Sequence, residues 1–181
     1  SLGYGFFGVG YIIFGTFVSA IAKSNLLWLN SQYLCWIIVG LSAIPSAIFW
    51  QKVSQKITID YCLSLSCLTI SIGIILILID MNIYFFFIAC LLYGLGVPGL
   101  VALVLFEGKD RFKGTISVAL AVLTTTFSIG QILGPILAGI LIDLNGNYIN
   151  SLYLSTISLI IASLLMIKSR RFKEILSLNK N

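Results

Sequence analysis

The chain has no histidine, and only 9% of its 181 residues carry a charge. Missing histidine removes the commonest general base and the commonest metal ligand. A soluble domain carries about 25% charged residues, so this composition cannot build a water-facing surface. There is no C-x-x-C pair, no H-E-x-x-H, and no Ser–His combination to activate a nucleophile. A disulfide-forming enzyme, a metalloprotease and a serine protease of the membrane are thereby excluded, and no enzyme is expected. The four cysteines, Cys35, Cys62, Cys67 and Cys90, lie inside apolar stretches and read as small membrane-embedded residues. No basic stripe with interleaved exposed aromatics is present, so nucleic acid is not an expected partner. No cofactor-binding or metal-binding pattern stands out.

The chain is rich in apolar residues: 59% are hydrophobic and the mean hydropathy is +1.08. Crossing about 30 Å of hydrocarbon takes about 20 largely apolar residues in a helix. Six stretches qualify, at Leu2–Ala22, Gln32–Trp50, Asp60–Ile79, Ile83–Phe106, Thr115–Ile142 and Tyr148–Ile167. The expected fold is an all-α membrane protein of six transmembrane helices, a bundle over 1–167 with a basic tail over 168–181. The chain starts at Ser1, already in an apolar run and without Met, which predicts a fragment.

Eleven Lys and Arg outweigh six Asp and Glu, a net charge of +5. Ten of the eleven fall on one side of the six spans: Lys52, Lys56, Lys109, Arg111, Lys113, Lys168, Arg170, Arg171, Lys173 and Lys180. Only Lys23 falls on the other side. Basic residues accumulate in cytoplasmic loops, so both termini are expected in the cytoplasm and Lys23 and Asp143 outside. Arg170, Arg171 and Lys173, next to the last span, are expected at the lipid headgroups.

Three patterns recur along the chain. Tyr4-Gly5-x4-Gly10 returns as Tyr93-Gly94-x4-Gly99, Gly40-x4-Pro45 as Gly130-x4-Pro135, and Thr69-Ile70-Ser71-Ile72 as Thr156-Ile157-Ser158-Leu159. A repeat of three spans has an odd number of crossings, so its second copy is inverted. The expectation is a three-plus-three inverted repeat, 1–79 and 83–167. The two G-x-G-x-x-G matches, Gly3-Gly5-Gly8 and Gly94-Gly96-Gly99, lie within spans, where no sheet can form. They read as close packing and bending, not as a dinucleotide fingerprint. Gly40, Pro45, Gly130, Gly134, Pro135 and Gly139 on the second and fifth spans place small residues and kinks where helices can approach closely. They are expected to form a face that meets another six-helix half, ordinary packing inside the bundle being the alternative.

The segment from Gly3 to Phe17 resembles the seventh span of YbfB-like major facilitator transporters. Ser128-Ile129-Gly130-Gln131-Ile132-Leu133-Gly134-Pro135 resembles the eleventh. The resemblance covers essentially the whole chain and implies the carboxy-terminal half, spans seven to twelve, of a twelve-span secondary carrier of the bacterial inner membrane. It implies alternating-access transport of a small solute, with a second six-helix half as partner, whether an amino-terminal half or a homodimer mate. A channel or structural membrane subunit is the alternative. The family's G-x-x-x-D-[RK]-x-G-[RK]-[RK] loop departs here to Trp50-Gln51-Lys52-Val53-Ser54-Gln55-Lys56, which keeps two basic residues but lacks the Asp and the glycines.

No ionisable side chain lies in the middle of a span; Asp60, at the start of the third, is the nearest. Buried ionisable groups mark charged-substrate sites and proton relays, so the candidate substrate-binding residues are neutral. They are Tyr4 and Tyr11 on the first helix, Tyr93 on the fourth, and Thr124, Ser128 and Gln131 at i, i+4, i+7 on the fifth; for Gln131 a bond to a neighbouring helix is the equal alternative.

Overall fold

A computed structural model of the chain describes the backbone of residues 2–24, 31–111 and 116–178. Side chains are described outside 105–116, 119 and 168–178. Six helices follow in order: α1 (Leu2–Ser24), α2 (Ser31–Ser54), α3 (Ile59–Ile79), α4 (Ile83–Arg111), α5 (Ile116–Asn145) and α6 (Ile149–Leu178). All six are long and apolar enough to cross a membrane. A helix satisfies its backbone hydrogen bonds internally, the condition for crossing hydrocarbon. The expected all-α membrane fold is therefore present, and no strand occurs among the described residues.

Helix ends fall where local chemistry puts them. The Asn82 side chain accepts the Tyr84 N–H at 3.0 Å, and Asn147 accepts the Ile149 N–H at 3.1 Å. Each asparagine satisfies a donor that the first turn leaves unpaired. Gly146 turns the chain between α5 and α6 at φ 67°, a backbone state that costs glycine nothing. Polar residues do not end the helices as the apolar spans alone suggest. α4 continues through Glu107, Lys109 and Asp110 to Arg111, and α6 continues past Ile167 to Leu178. Charged helix formers there can sit at or beyond the hydrocarbon edge without breaking the backbone ladder. The tail is thus helical backbone to Leu178; the side chains of Arg170, Arg171 and Lys173, and all of Lys113 and Lys180, lie outside the described residues.

The principal neighbours are α1 with α5 and α6, α4 with α2 and α3, and α3 with α6. Exchanging α1 with α4, α2 with α5 and α3 with α6 leaves this set unchanged. Buried positions on α3 and α6 also correspond: Ser66 with Ser155, Cys67 with Thr156, Ile70 with Leu159, Ile74 with Ser163, and Ile77 with Met166. Each pair is separated by 89 residues (155 − 66, and so on). The expected match of Thr69 with Thr156, separated by 87 residues (156 − 69), is two residues out of this register. The four-residue likeness came from residue type, whereas burial follows which face meets the neighbouring helix.

The core runs between α1, α3, α4 and α6, through Phe7, Phe14 and Ile21, Ile70 and Ile74, Phe86 and Leu100, and Leu152 and Leu159. Serines cross-link it. Ser64 and Ser163 bond hydroxyl to hydroxyl at 2.6 Å, and Ser155 donates to the Gly10 carbonyl at 2.5 Å. Interhelical bonds of this kind supply attraction where lipid offers no hydrophobic drive between helices. α2 and α5 are the outliers in burial. Only 17% of each of their spans is buried, against 44–56% for the other four.

Candidate functional site

Tyr4, Phe7, Tyr11 and Phe14 recur at three- and four-residue spacing, so they stack along one face of α1. Tyr4 and Phe7 lie 5.9 Å apart between ring centres, and Phe7 and Tyr11 5.1 Å. Phe127 of α5 lies over this row, 4.7 Å from Tyr4, 5.8 Å from Phe7 and 5.4 Å from Tyr11, with its plane nearly parallel to each. Tyr93 of α4 closes the cluster at 6.4 Å from Tyr11 and 5.2 Å from Phe14. Three helices thus contribute rings within the 4.5–7 Å range in which aromatic pairs attract.

Glycines make this convergence possible. An ideal Cβ on Gly8 would lie 2.5 Å from the Phe127 carbonyl oxygen, and one on Gly134 would lie 2.9 Å from the Val9 carbonyl oxygen. Gly5 faces Thr126, and Gly130 faces the Gly5 carbonyl. α1 and α5 therefore touch backbone to backbone, which lets Phe127 and Gln131 reach over the α1 rings. The Gln131 amide donates to the Tyr11 hydroxyl, pairing two polar groups in an apolar setting.

Of the six candidate substrate-binding residues, the structure brings four together: Tyr4, Tyr11, Tyr93 and Gln131. Tyr4 and Tyr93 are buried, while Tyr11 and Gln131 are half-buried. Ser128 is half-buried and Thr124 exposed, one and two turns before Gln131 on α5. Phe127 was not among the candidates, although it is the ring that joins α5 to α1. The sequence offered only one signal for it, its place beside Ser128 on the polar stretch of the fifth span.

The expected interface residues divide. Gly130 and Gly134 are buried against α1, inside the bundle, so they do not form an outward face toward a second half. The bulk-free surface of α5 is occupied by Gly5, Val9 and Ile12 of α1. Gly40 and Pro45 are exposed on α2, and a Cβ on Gly40 would meet nothing within 4 Å. Pro135 and Gly139 are half-buried, and Gly139 likewise has open space. What α2 and α5 present outward is larger: Tyr33, Ile37, Leu41, Ile44 and Ile48 on α2, and Ile129, Ile132, Ile136, Ile140 and Leu144 on α5.

The cysteines are all buried and unbridged, and no group of three or more potential metal ligands occurs among the described residues.

Six apolar helices, packed through glycines and serines around a neutral aromatic cluster, define a polytopic all-α membrane protein. Residues 1–167 match the family described as "Uncharacterised MFS-type transporter YbfB", and the chain belongs to that family. No curated protein and no solved structure matches it.

Proposed function

We propose that the chain is the carboxy-terminal half of a twelve-span secondary carrier, moving a small solute by alternating access. The observation that carries this reading beyond the family is the low burial of α2 and α5 together. Two helices at repeat-related places, each showing a row of large apolar side chains, suit contact with a second six-helix half. The exchange-invariant packing and the common 89-residue register of α3 and α6 support a three-plus-three inverted repeat. In such carriers the site lies near the midplane and one half rocks against the other. The ten-to-one placement of basic residues supports cytoplasmic termini in a bacterial inner membrane.

The site in this half is the ring cluster with Gln131 and Ser128. Its groups are hydroxyls, an amide and aromatic faces, and none is ionisable near neutral pH. It suits a solute with hydrogen-bonding groups and a flat apolar face, rather than one whose charge needs a counter-ion here. The test is uptake into vesicles holding the intact carrier, wild type against Gln131→Ala. Losing one neutral hydrogen bond is worth about 0.5–1.5 kcal/mol, so KM rises about two- to tenfold while uptake stays saturable. An unchanged KM with Gln131→Ala and Tyr11→Phe alike removes this cluster from the site.

A further inference from the structure

α4 carries Pro98 in its interior, whereas α1, its counterpart in the packing, has no proline. Pro98 has no N–H, so the Gly94 carbonyl loses its helical donor, and the pyrrolidine ring crowds that same carbonyl. The next two carbonyls are met from outside the helix. Ser46 donates its hydroxyl to Leu95 O at 2.5 Å, and the Trp50 indole N–H donates to the same oxygen at 2.9 Å. Ser66 of α3 donates to Gly96 O at 2.7 Å. Gly99, one residue past the proline, leaves room for the indole: a Cβ there would lie 2.8 Å from Trp50 Cγ and 2.9 Å from Ser46 Oγ. Ser46 and Trp50 are both buried.

We infer that Ser46 and Trp50 are a latch that sets the bend of α4 at Pro98, and that α4 beyond the proline moves as a unit when the latch opens. Two donors one turn apart on α2 share one acceptor, at the turn where the α4 ladder is already interrupted. If α4 swings away, Ser46 can fall back on a carbonyl of its own helix, as Ser42 does with Ile38 O at 2.9 Å, but the indole N–H is left without an acceptor in surroundings without water, so α2 and the bend of α4 are coupled. Packing alone would need the indole ring but not its N–H, and neither hydroxyl nor N–H would matter to the motion of α4. Both residues act through α4 and not on a solute, so they are positioning residues, independent of where the solute binds.

Hydrogen exchange of the full-length protein in lipid nanodiscs separates these cases. Trp50→Phe keeps a ring and loses the N–H, Ser46→Ala loses the hydroxyl, and Ser46→Thr keeps it. If the latch exists, amides 99–104 exchange about two- to tenfold faster in each of the first two variants, the range of one neutral hydrogen bond. The double variant exchanges faster than either, Ser46→Thr matches wild type, and α3 segment 62–74 is unchanged in all. The idea is overturned if 99–104 exchange at the wild-type rate in both single variants. It is overturned equally if the acceleration spreads to 62–74, the mark of general loosening.

Discussion

Replacing Gly8 by alanine tests the backbone contact on which the aromatic cluster depends. The new Cβ would stand 2.5 Å from the Phe127 carbonyl oxygen, and ordinary contact begins at 3.4 Å, so about 0.9 Å of separation is required (3.4 − 2.5). The obstructing atom is backbone, which cannot rotate away as a side chain can. Overpacking of this kind costs about 1–3 kcal/mol, partly offset by the helix preference of alanine over glycine, about 0.8–1.0 kcal/mol. A net loss of about 0–2 kcal/mol is expected. Gly40→Ala is the matched control, because nothing lies within 4 Å of a Cβ there. It should be neutral or gain up to about 1 kcal/mol. Equilibrium unfolding of the purified protein in mixed micelles, titrated with denaturing detergent, measures both. Equal stability of Gly8→Ala and Gly40→Ala would refute the claim that α1 and α5 meet through their backbones.

Other consequences can be checked independently. Single cysteines at Ser24 and Asn145, in a background lacking the native four, should react with an impermeant thiol reagent added outside; labelling only from the cytoplasmic side would reverse the topology. The basic stretch from Lys168 to Lys173 should lose mobility in anionic bilayers relative to neutral ones, at about 1 kcal/mol per basic residue near the surface. Identical spin-label spectra in both lipids would remove that contact. Ile44→Asn and Ile132→Asn, at sites 73% and 63% exposed, should leave insertion intact and reduce co-purification with the other six-span half. Undiminished pairing in both variants would place those faces against lipid instead.

The six spans were legible because a membrane helix announces itself by length and apolar content, and neither depends on which neighbour it meets. Neighbour identity was not legible in the same way. The spacing of Gly130 and Gly134 marks a flat face but says nothing about its occupant, and Gly5, Val9 and Ile12 of α1 took it. Position 134 therefore reports on the bundle's own packing, and exposed residues such as Ile44 and Ile132 are the proper probes of a second half. Tyr4, Tyr11 and Gln131 stood out in sequence because polar groups are rare in apolar spans. Phe127 did not, since one phenylalanine among twelve has no contrast until the fold lays it across α1. Pro98 drew no reading from the sequence; its setting appeared only when the fold brought Ser46 and Trp50 to the Leu95 carbonyl, three residues before it. The charged ends of α4 and α6 read as loop and tail because charge ends an apolar span, whereas it does not end a helix.

Counterflow tests the carrier reading most directly. Vesicles holding the intact protein are preloaded with an unlabelled solute found by a binding screen, and entry of the labelled solute is followed at equal driving force. Alternating access predicts saturable entry and a transient overshoot that depends on the preload, because the unlabelled solute inside occupies the one shared site as it faces inward and keeps the labelled solute from leaving. Entry that rises linearly with concentration and ignores the preload would contradict a carrier and leave a channel.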